Sequence, residues 1–186
     1  MCPQSASRGK VLVGLGANSP GPWGKPARTL RRALRELEQA GVTIQAVSDT
    51  YETAAMGQTR QRPYRNAVAL ITTSLPAPAL LRLLKQIEAR AGRRGGRPWG
   101  ERTLDLDILD YKGLRLNWAG RRRVAPRQRA LPLVLPHPQL DLRPFVLRPL
   151  LDVAPNWRHP VLQLGARELW RRASKVGQGR VLRRVS

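Results

Sequence analysis

The spacing of apolar positions divides most of the chain into a short series of elements. KVLVGLGANS (residues 10–19) reads as an apolar strand that ends in glycines. KPARTLRRALRELEQAG (25–41) reads as a helix. Pro26 suits its first turn, Leu30, Ala33, Leu34 and Leu37 recur at helical spacing, and Gly41 is a natural C-terminal stop. In VTIQAVSDTYET (42–53), Val42, Ile44 and Ala46 alternate as on a half-buried strand, and the alternation lapses at Val47 and Ser48. NAVALITTSL (66–75) is a third, more continuously apolar strand. APALLRLLKQIEARAG (77–92) is a second helix, with its stripe at Leu80, Leu84, Ile87 and Ala91 and Gly92 at its end. TLDLDILDY (103–111) is a fourth strand.

That order, βαββαβ, predicts an α+β domain of ferredoxin-like arrangement: an antiparallel sheet with helices on one face and the other face free for a site. Beyond residue 112 the pattern turns irregular. The Arg- and Pro-rich stretch from Ala119 to Phe145 reads as loop with short extended pieces. RPFVLRPLLDVAP (143–155) is expected to hold a short helix and GARELWRRASK (165–175) a late one. The expected organisation is a loose N-terminal tail (1–9), one domain (10–170) and a basic C-terminal tail (171–186), forming an irregular extension to the sheet domain.

Composition changes this picture mainly through charge. The 186 residues hold 34 Lys and Arg against 12 Asp and Glu, a net charge of +22, and nearly all of the base is arginine. Such a balance attracts polyanions, whether nucleic acid, nucleotides or phosphorylated substrates, without choosing among them. It is equally what an arginine-rich solvated surface looks like. The single cysteine, Cys2, allows no disulfide within the chain, which suits a reducing cytoplasm. No apolar stretch reaches bilayer-spanning length, and the start lacks the apolar core of a signal peptide.

Against that charge, the acids at 105 and 107 stand out. On a strand, side chains alternate, so Leu104, Leu106 and Ile108 share one face and Asp105 and Asp107 the other. Two carboxylates at i and i+2 lie roughly 6.5–7 Å apart at Cβ. Like charges that close repel unless something positive sits between them. Mg²⁺ takes one or two carboxylates plus phosphate oxygens and water, and two such ions could clamp a triphosphate. A bare D-x-D also occurs on solvated strand faces and in salt bridges to arginine. The preceding GRRGGRPWGER (92–102) adds arginines suited to forked contacts with phosphate.

RPWGERTLDLDIL (97–109) resembles the signature of the 6-hydroxymethyl-7,8-dihydropterin pyrophosphokinase family (HPPK). Five further segments resemble the family's motifs in the same order: VGLGANS, SDTYETAAMG, PYRNAVALITTSL, IEARAGR and LPHPQLDLRPFVLRPLLDVAP. The likeness runs from about residue 10 to about residue 160. It implies diphosphoryl transfer from ATP to the pterin hydroxymethyl group, leaving AMP, without a covalent intermediate. By motif, Asp105 and Asp107 would hold two Mg²⁺ ions and act in catalysis together with Arg93 and Arg102. Thr53, Met56, Tyr64, Asn66, Trp99 and Phe145 would serve the pterin, with Gly16 and Asn18 beside its pocket. Glu88, Arg94, Arg97, Arg102, Ile108, His137 and Arg143 would serve ATP. The chain departs from the family's pattern at Pro98, Glu101 and Ala54–Ala55, and its Gly92–Trp99 loop is slightly short. The resemblance further implies a monomeric cytoplasmic enzyme of folate biosynthesis, with no membrane contact and only incidental nucleic-acid binding.

Two other readings use the same residues. A basic ferredoxin-like RNA-binding module would stack bases on aromatics of its open sheet face, but that face carries Asp105 and Asp107. A degenerate homologue would have lost catalytic groups, yet both aspartates, Arg102, Asn66 and Phe145 are present.

Overall fold

The computed structural model describes residues 9–55, 61–93, 100–118, 133–175 and 179–185. The elements in chain order are β1 (Val11–Ala17), α1 (Pro26–Gln39), β2 (Thr43–Val47), β3 (Thr50–Thr53), β4 (Tyr64–Thr72), α2 (Ala77–Arg90), β5 (Asp105–Tyr111), a 3-10 turn (Leu140–Leu142), α3 (Pro144–Val153), α4 (Ala166–Ser174) and β6 (Val181–Val185). The six strands form one antiparallel sheet in the order β5-β1-β4-β3-β6, with β2 paired to the other half of β4. The architecture is thus α+β, with four α-helices among the described residues.

The apolar stripes of α1 and α2 cover one face. Leu30, Ala33, Leu37, Leu80, Leu84 and Ile87 pack with Val11, Val13 and Leu15 of β1 and with Leu104, Leu106 and Ile108 beside them, all buried. Each such leucine, isoleucine or valine contributes about 1.5–3 kcal/mol on burial. Both helices end alike. Gly41 and Gly92 take left-handed φ values of +81° and +82°, and the next residue donates back into the last turn: Val42 N–H to Leu37 C=O and Arg93 N–H to Glu88 C=O, each at 3.0 Å. Such a cap needs glycine at its left-handed position, and at the end of α2 it delivers Arg93 back toward β5.

The other face differs from expectation. It is not free along its length. Leu12, Val68, Leu70 and Leu109 form a second core with Leu140, Val146, Leu147, Leu150, Trp157, Leu169 and Ala173, so α3 and α4 cover part of it. The cause lies in β4, which is apolar on both sides and therefore has a second face to bury. Among the described residues, the end carrying Gly14, Gly16, Asn66, Asp105 and Asp107 stays open.

Two of the strand irregularities bear on the second face. Where alternation lapses, Ser48 separates β2 from β3. Its main chain pairs with Val68, and its hydroxyl accepts the Val68 N–H at 2.9 Å while donating to Asp49 C=O at 2.7 Å. In β5, Val13 faces Ile108 and Leu12 faces Asp110, so Leu109 is an extra, bulged residue. A bulge resets the alternation, and Asp110 consequently joins Leu109 on the α3–α4 face. There, buried, it accepts the Trp157 indole N–H at 2.8 Å.

The C-terminal segment, expected as a tail after residue 170, is built into the fold. Helix α4 continues to Ser174, and β6 pairs with β3.

Candidate active site

At the open end of the second face lies a cavity of about 150 Å³. Strand β5 supplies Asp105 and Asp107, opposite Gly16 and Gly14 of β1. Those glycines form the floor. A Cβ on Gly16 would stand 2.9 Å from Asn66 Oδ1, and one on Gly14 would stand 3.2 Å from the Leu109 side chain. Thr53, Ala54, Tyr64, Asn66, Phe145 and Val146 make one wall, and Arg102, Asp105, Asp107 and Arg143 make the charged end.

The wall is preset by hydrogen bonds. Asn66 and Thr53 are both buried, and the Asn66 amide donates to Thr53 Oγ1 at 2.7 Å. This leaves Asn66 Oδ1 aimed across Gly16. The Tyr64 hydroxyl donates to Gly100 C=O at 3.0 Å and so ties the wall to the segment that carries Arg102. Phe145 sits in the first turn of α3, with the Arg143 guanidinium 5.8 Å from its ring centre.

Each aspartate has a cationic neighbour. Arg93 bridges Asp105 at 2.6 Å and Glu88 at 2.5 Å. Arg143 stands 3.5 Å from Asp107, and its second nitrogen donates to Gln139 Oε1 at 2.7 Å. His137 Nε2 lies 3.8 Å from Asp107 and 3.4 Å from Arg143. Burial, with Arg143 beside it, drives the His137 pKa down to about 4, so the ring is neutral at pH 7. Its Nδ1 accepts the Gln139 N–H at 3.1 Å, placing the ring proton on Nε2 toward Asp107. Burial and the charge of Asp107 push Asp105 up. Burial alone would raise Asp107 too, but His137, protonated at the acid pH where Asp107 titrates, and Arg143 together outweigh it and hold Asp107 below the usual carboxylate range. With the imidazole neutral, Arg143 is the partner that keeps Asp107 ionised at pH 7.

The donor set fits a hard divalent cation. Among the described residues no group of three or more His, Cys, Asp and Glu side chains could cage a metal. Two carboxylates on one strand face, open to a cavity, leave coordination positions for phosphate oxygens and water, which is how Mg²⁺ is held.

Not every expected site residue lines this cavity. Asn18 is buried and faces two loops instead: Oδ1 accepts the Arg102 N–H at 2.7 Å, and Nδ2 donates to Arg62 C=O at 3.2 Å. Glu88 is only 2% exposed. Besides Arg93, its Oε1 takes the Leu106 N–H at 2.7 Å and Lys85 Nζ at 2.8 Å. The Ile108 side chain belongs to the α1–α2 core, and His137 flanks Asp107 from outside the wall. Met56, Arg94, Arg97 and Trp99 lie outside the described residues. Sequence reasoning passed over Gly14, Ala54, Val146, Lys85 and Gln139. Lys85 carried a signal, its i,i+3 spacing to Glu88 on α2. Gln139, four residues before Arg143, lies in a loop and carried none.

A family model described as 7,8-dihydro-6-hydroxymethylpterin-pyrophosphokinase (HPPK) matches residues 12–155. The chain is 37% identical over 151 residues to the 2-amino-4-hydroxy-6-hydroxymethyldihydropteridine pyrophosphokinase of a Synechocystis strain, covering 81% of this chain and 69% of that protein. Against the Bacillus subtilis protein of the same description the identity is 37% over 144 residues, 77% of each chain. Against that of Aquifex aeolicus it is 33% over 158 residues, covering 85% and 88%. The fold is similar to the crystal structure of Plasmodium falciparum HPPK-DHPS, with a TM-score of 0.64 at 15% identity over 89% of this chain. This chain spans only 41% of that larger one.

Proposed function

The chain belongs to the 7,8-dihydro-6-hydroxymethylpterin-pyrophosphokinase family, and from that premise we propose that it transfers the diphosphoryl group of ATP to 6-hydroxymethyl-7,8-dihydropterin in folate synthesis. The hydroxymethyl oxygen attacks the β-phosphorus in line, the bond to the α,β-bridging oxygen breaks, AMP departs, and the hydroxyl proton passes to water. The observation that carries this reading is the placement of Asp105 and Asp107 at the charged end of a cavity whose wall is Thr53, Tyr64, Asn66 and Phe145.

The flat pterin ring fits between Tyr64 and Phe145, with Asn66 Oδ1 accepting from its ring-edge N–H groups. Asp105 and Asp107 would hold two Mg²⁺ ions, which when bound neutralise the phosphates and acidify the attacking hydroxyl. Arg102 and Arg143 face the charge that develops on the transferring group, where fixed cations in a water-poor site act most strongly. Arg93, held between Glu88 and Asp105, adds a third. Phosphoryl transfer asks for positioning and charge neutralisation more than covalent chemistry, and this site supplies both.

For ATP, the outer edge of β5 is informative. Leu106 turns its N–H and C=O outward to Glu88 and Lys85. By alternation Ile108 turns outward as well, and so presents a main-chain donor and acceptor to the edge of a nucleotide base. His137 and Arg143 lie on the phosphate side of that edge. The same reading takes the enzyme as a cytoplasmic monomer with one catalytic domain, which runs past residue 170 to take in the end of α4 and β6. Its β1–β5 core is ferredoxin-like once β2 and β3 are counted as one interrupted strand.

Incubation of the protein with ATP, Mg²⁺ and the pterin, with products followed by mass spectrometry, tests the proposal. AMP and the pterin diphosphate are expected, and both should vanish in Asp105→Ala/Asp107→Ala. Formation of ADP would make the enzyme a simple kinase and overturn the diphosphoryl assignment.

A further inference from the structure

Strand β6 lies well past residue 155, where the family match ends. It is nevertheless bonded to the pocket wall. We propose that β6 is a positioning element for pterin binding, acting through β3 on Thr53, Ala54 and Asn66; this rests on the assignment of that wall to the pterin.

Strand β3 is four residues long and pairs with β4 only from Tyr51 to Thr53. Left at the edge of the sheet, so short a strand would have one row of main-chain groups unpaired and would fray. β6 supplies that row. Thr50, Tyr51, Glu52 and Thr53 face Val185, Arg184, Arg183 and Val181. The pairing continues past the end of β3, where Ala54 N–H donates to Arg180 C=O at 2.9 Å. Ala54 and Thr53 both line the cavity, so β6 bonds directly to the backbone of the wall. Thr53 Oγ1 in turn orients the Asn66 amide.

Side chains fix the register. Glu52 Oε2 accepts Arg65 at 2.9 Å from one side and Arg183 at 3.2 Å from the other, a row across three strands. Arg184 pairs with Asp49 at 2.6 Å. In a chain with 12 acids and 34 bases, two acids are committed to this strand. Single exposed ion pairs are weak, but a register shift of one residue, in either direction, would leave one of the two carboxylates without its β6 arginine.

The test compares the full chain with Arg183→Glu/Arg184→Glu, with Arg183→Lys/Arg184→Lys, and with a chain ending at Gln178. Steady-state kinetics and amide hydrogen exchange are measured on each. In the charge-reversed and shortened chains the pterin KM is expected to rise about tenfold while the ATP KM stays within about twofold, because only the pterin wall loses its brace. The Thr53 and Ala54 amides should lose protection in step, and the Lys variant should retain both. A folded charge-reversed chain with unchanged pterin KM and unchanged Thr53 and Ala54 protection overturns the proposal. So does a parallel rise in both KM values, which would signal general loosening. If the shortened chain does not fold, the charge-reversed chain decides. If even the full chain forms no pterin diphosphate, the functional assignment fails on its own, and exchange at Thr53 and Ala54 then decides whether β6 holds this wall.

Discussion

Asn18 grips Arg102 by its main chain on both sides. Its side-chain oxygen accepts the Arg102 N–H at 2.7 Å, and its own N–H donates to Arg102 C=O at 2.9 Å. The same side chain reaches Arg62, just before β4. The segment carrying one of the cationic groups is therefore fixed to β1 without help from its own side chain. Asn18→Ala takes the side-chain partner from the part-buried Arg102 N–H and from the Arg62 C=O, at a cost of about 1 kcal/mol each. A fall in kcat/KM of at least about tenfold, accompanied by a lower urea midpoint, is expected. Asn18→Asp keeps the bond to Arg102 but loses the one to Arg62, and should fall between Ala and the native chain.

Glu88 is a structural anion at the edge of the site. Three donors converge on its Oε1, from Lys85, Arg93 and the Leu106 main chain. Glu88→Ala strips one of two carboxylate partners from a half-buried Arg93, leaving it Asp105, and unpins β5. Breaking such a pair costs about 3–5 kcal/mol. Urea denaturation should register that loss even in the absence of any ligand, which a residue whose only role is to touch ATP would not produce.

Arg143→Lys tests geometry at constant charge. The guanidinium reaches Asp107 and Gln139 from different nitrogens, a fork an ammonium cannot copy. A fall in kcat of about 10²-fold with a nearly unchanged pterin KM is expected if the group acts on developing charge. A change confined to KM would assign it to binding alone.

Asp110 gives a pH signature separate from catalysis. Burial outweighs its hydrogen bonds to Trp157 and to the main chain of Gly113 and Tyr111, and raises its pKa above the ordinary 3.8. The folded state then binds its proton more tightly than the unfolded one. Its stabilising contribution is complete below the unfolded value and is lost as pH rises through the folded one. Asp110→Asn still accepts from Trp157. The variant should therefore gain on the native chain between acidic and neutral pH, as read by urea midpoints at both. A native advantage that grows toward neutral pH would contradict the assignment.

Alternation along β5 placed the aspartate pair and the leucine face correctly from residues 104 to 108, because a regular strand leaves side chains no choice of side. It failed at Asp110, since a bulge depends on what the neighbouring strand offers, and no local pattern announces it. The second core had a signal in the two-sided apolar run of β4, but its partners come from α3 and α4, far along the chain. Strand β6 had almost none: Val181 and Val185 flank arginines whose acids are supplied by β3 and the residue before it. Asn18 and Glu88 stood in the right neighbourhood by motif. What the sequence could not show was that each meets a backbone rather than the cavity.

The outer edge of β5 also bears on solubility. An unpaired edge strand invites another chain to add to the sheet. On β5 the outward groups of Leu106 are taken by Glu88 and Lys85, and the Leu109 carbonyl, freed by the bulge, accepts His137 N–H at 2.9 Å. Between them only Ile108 is left, a template one residue long. A second strand needs several consecutive pairs to hold on, whereas a planar base needs one donor and one acceptor. The edge that would admit the nucleotide is therefore too short to recruit a second copy of the protein into a growing sheet.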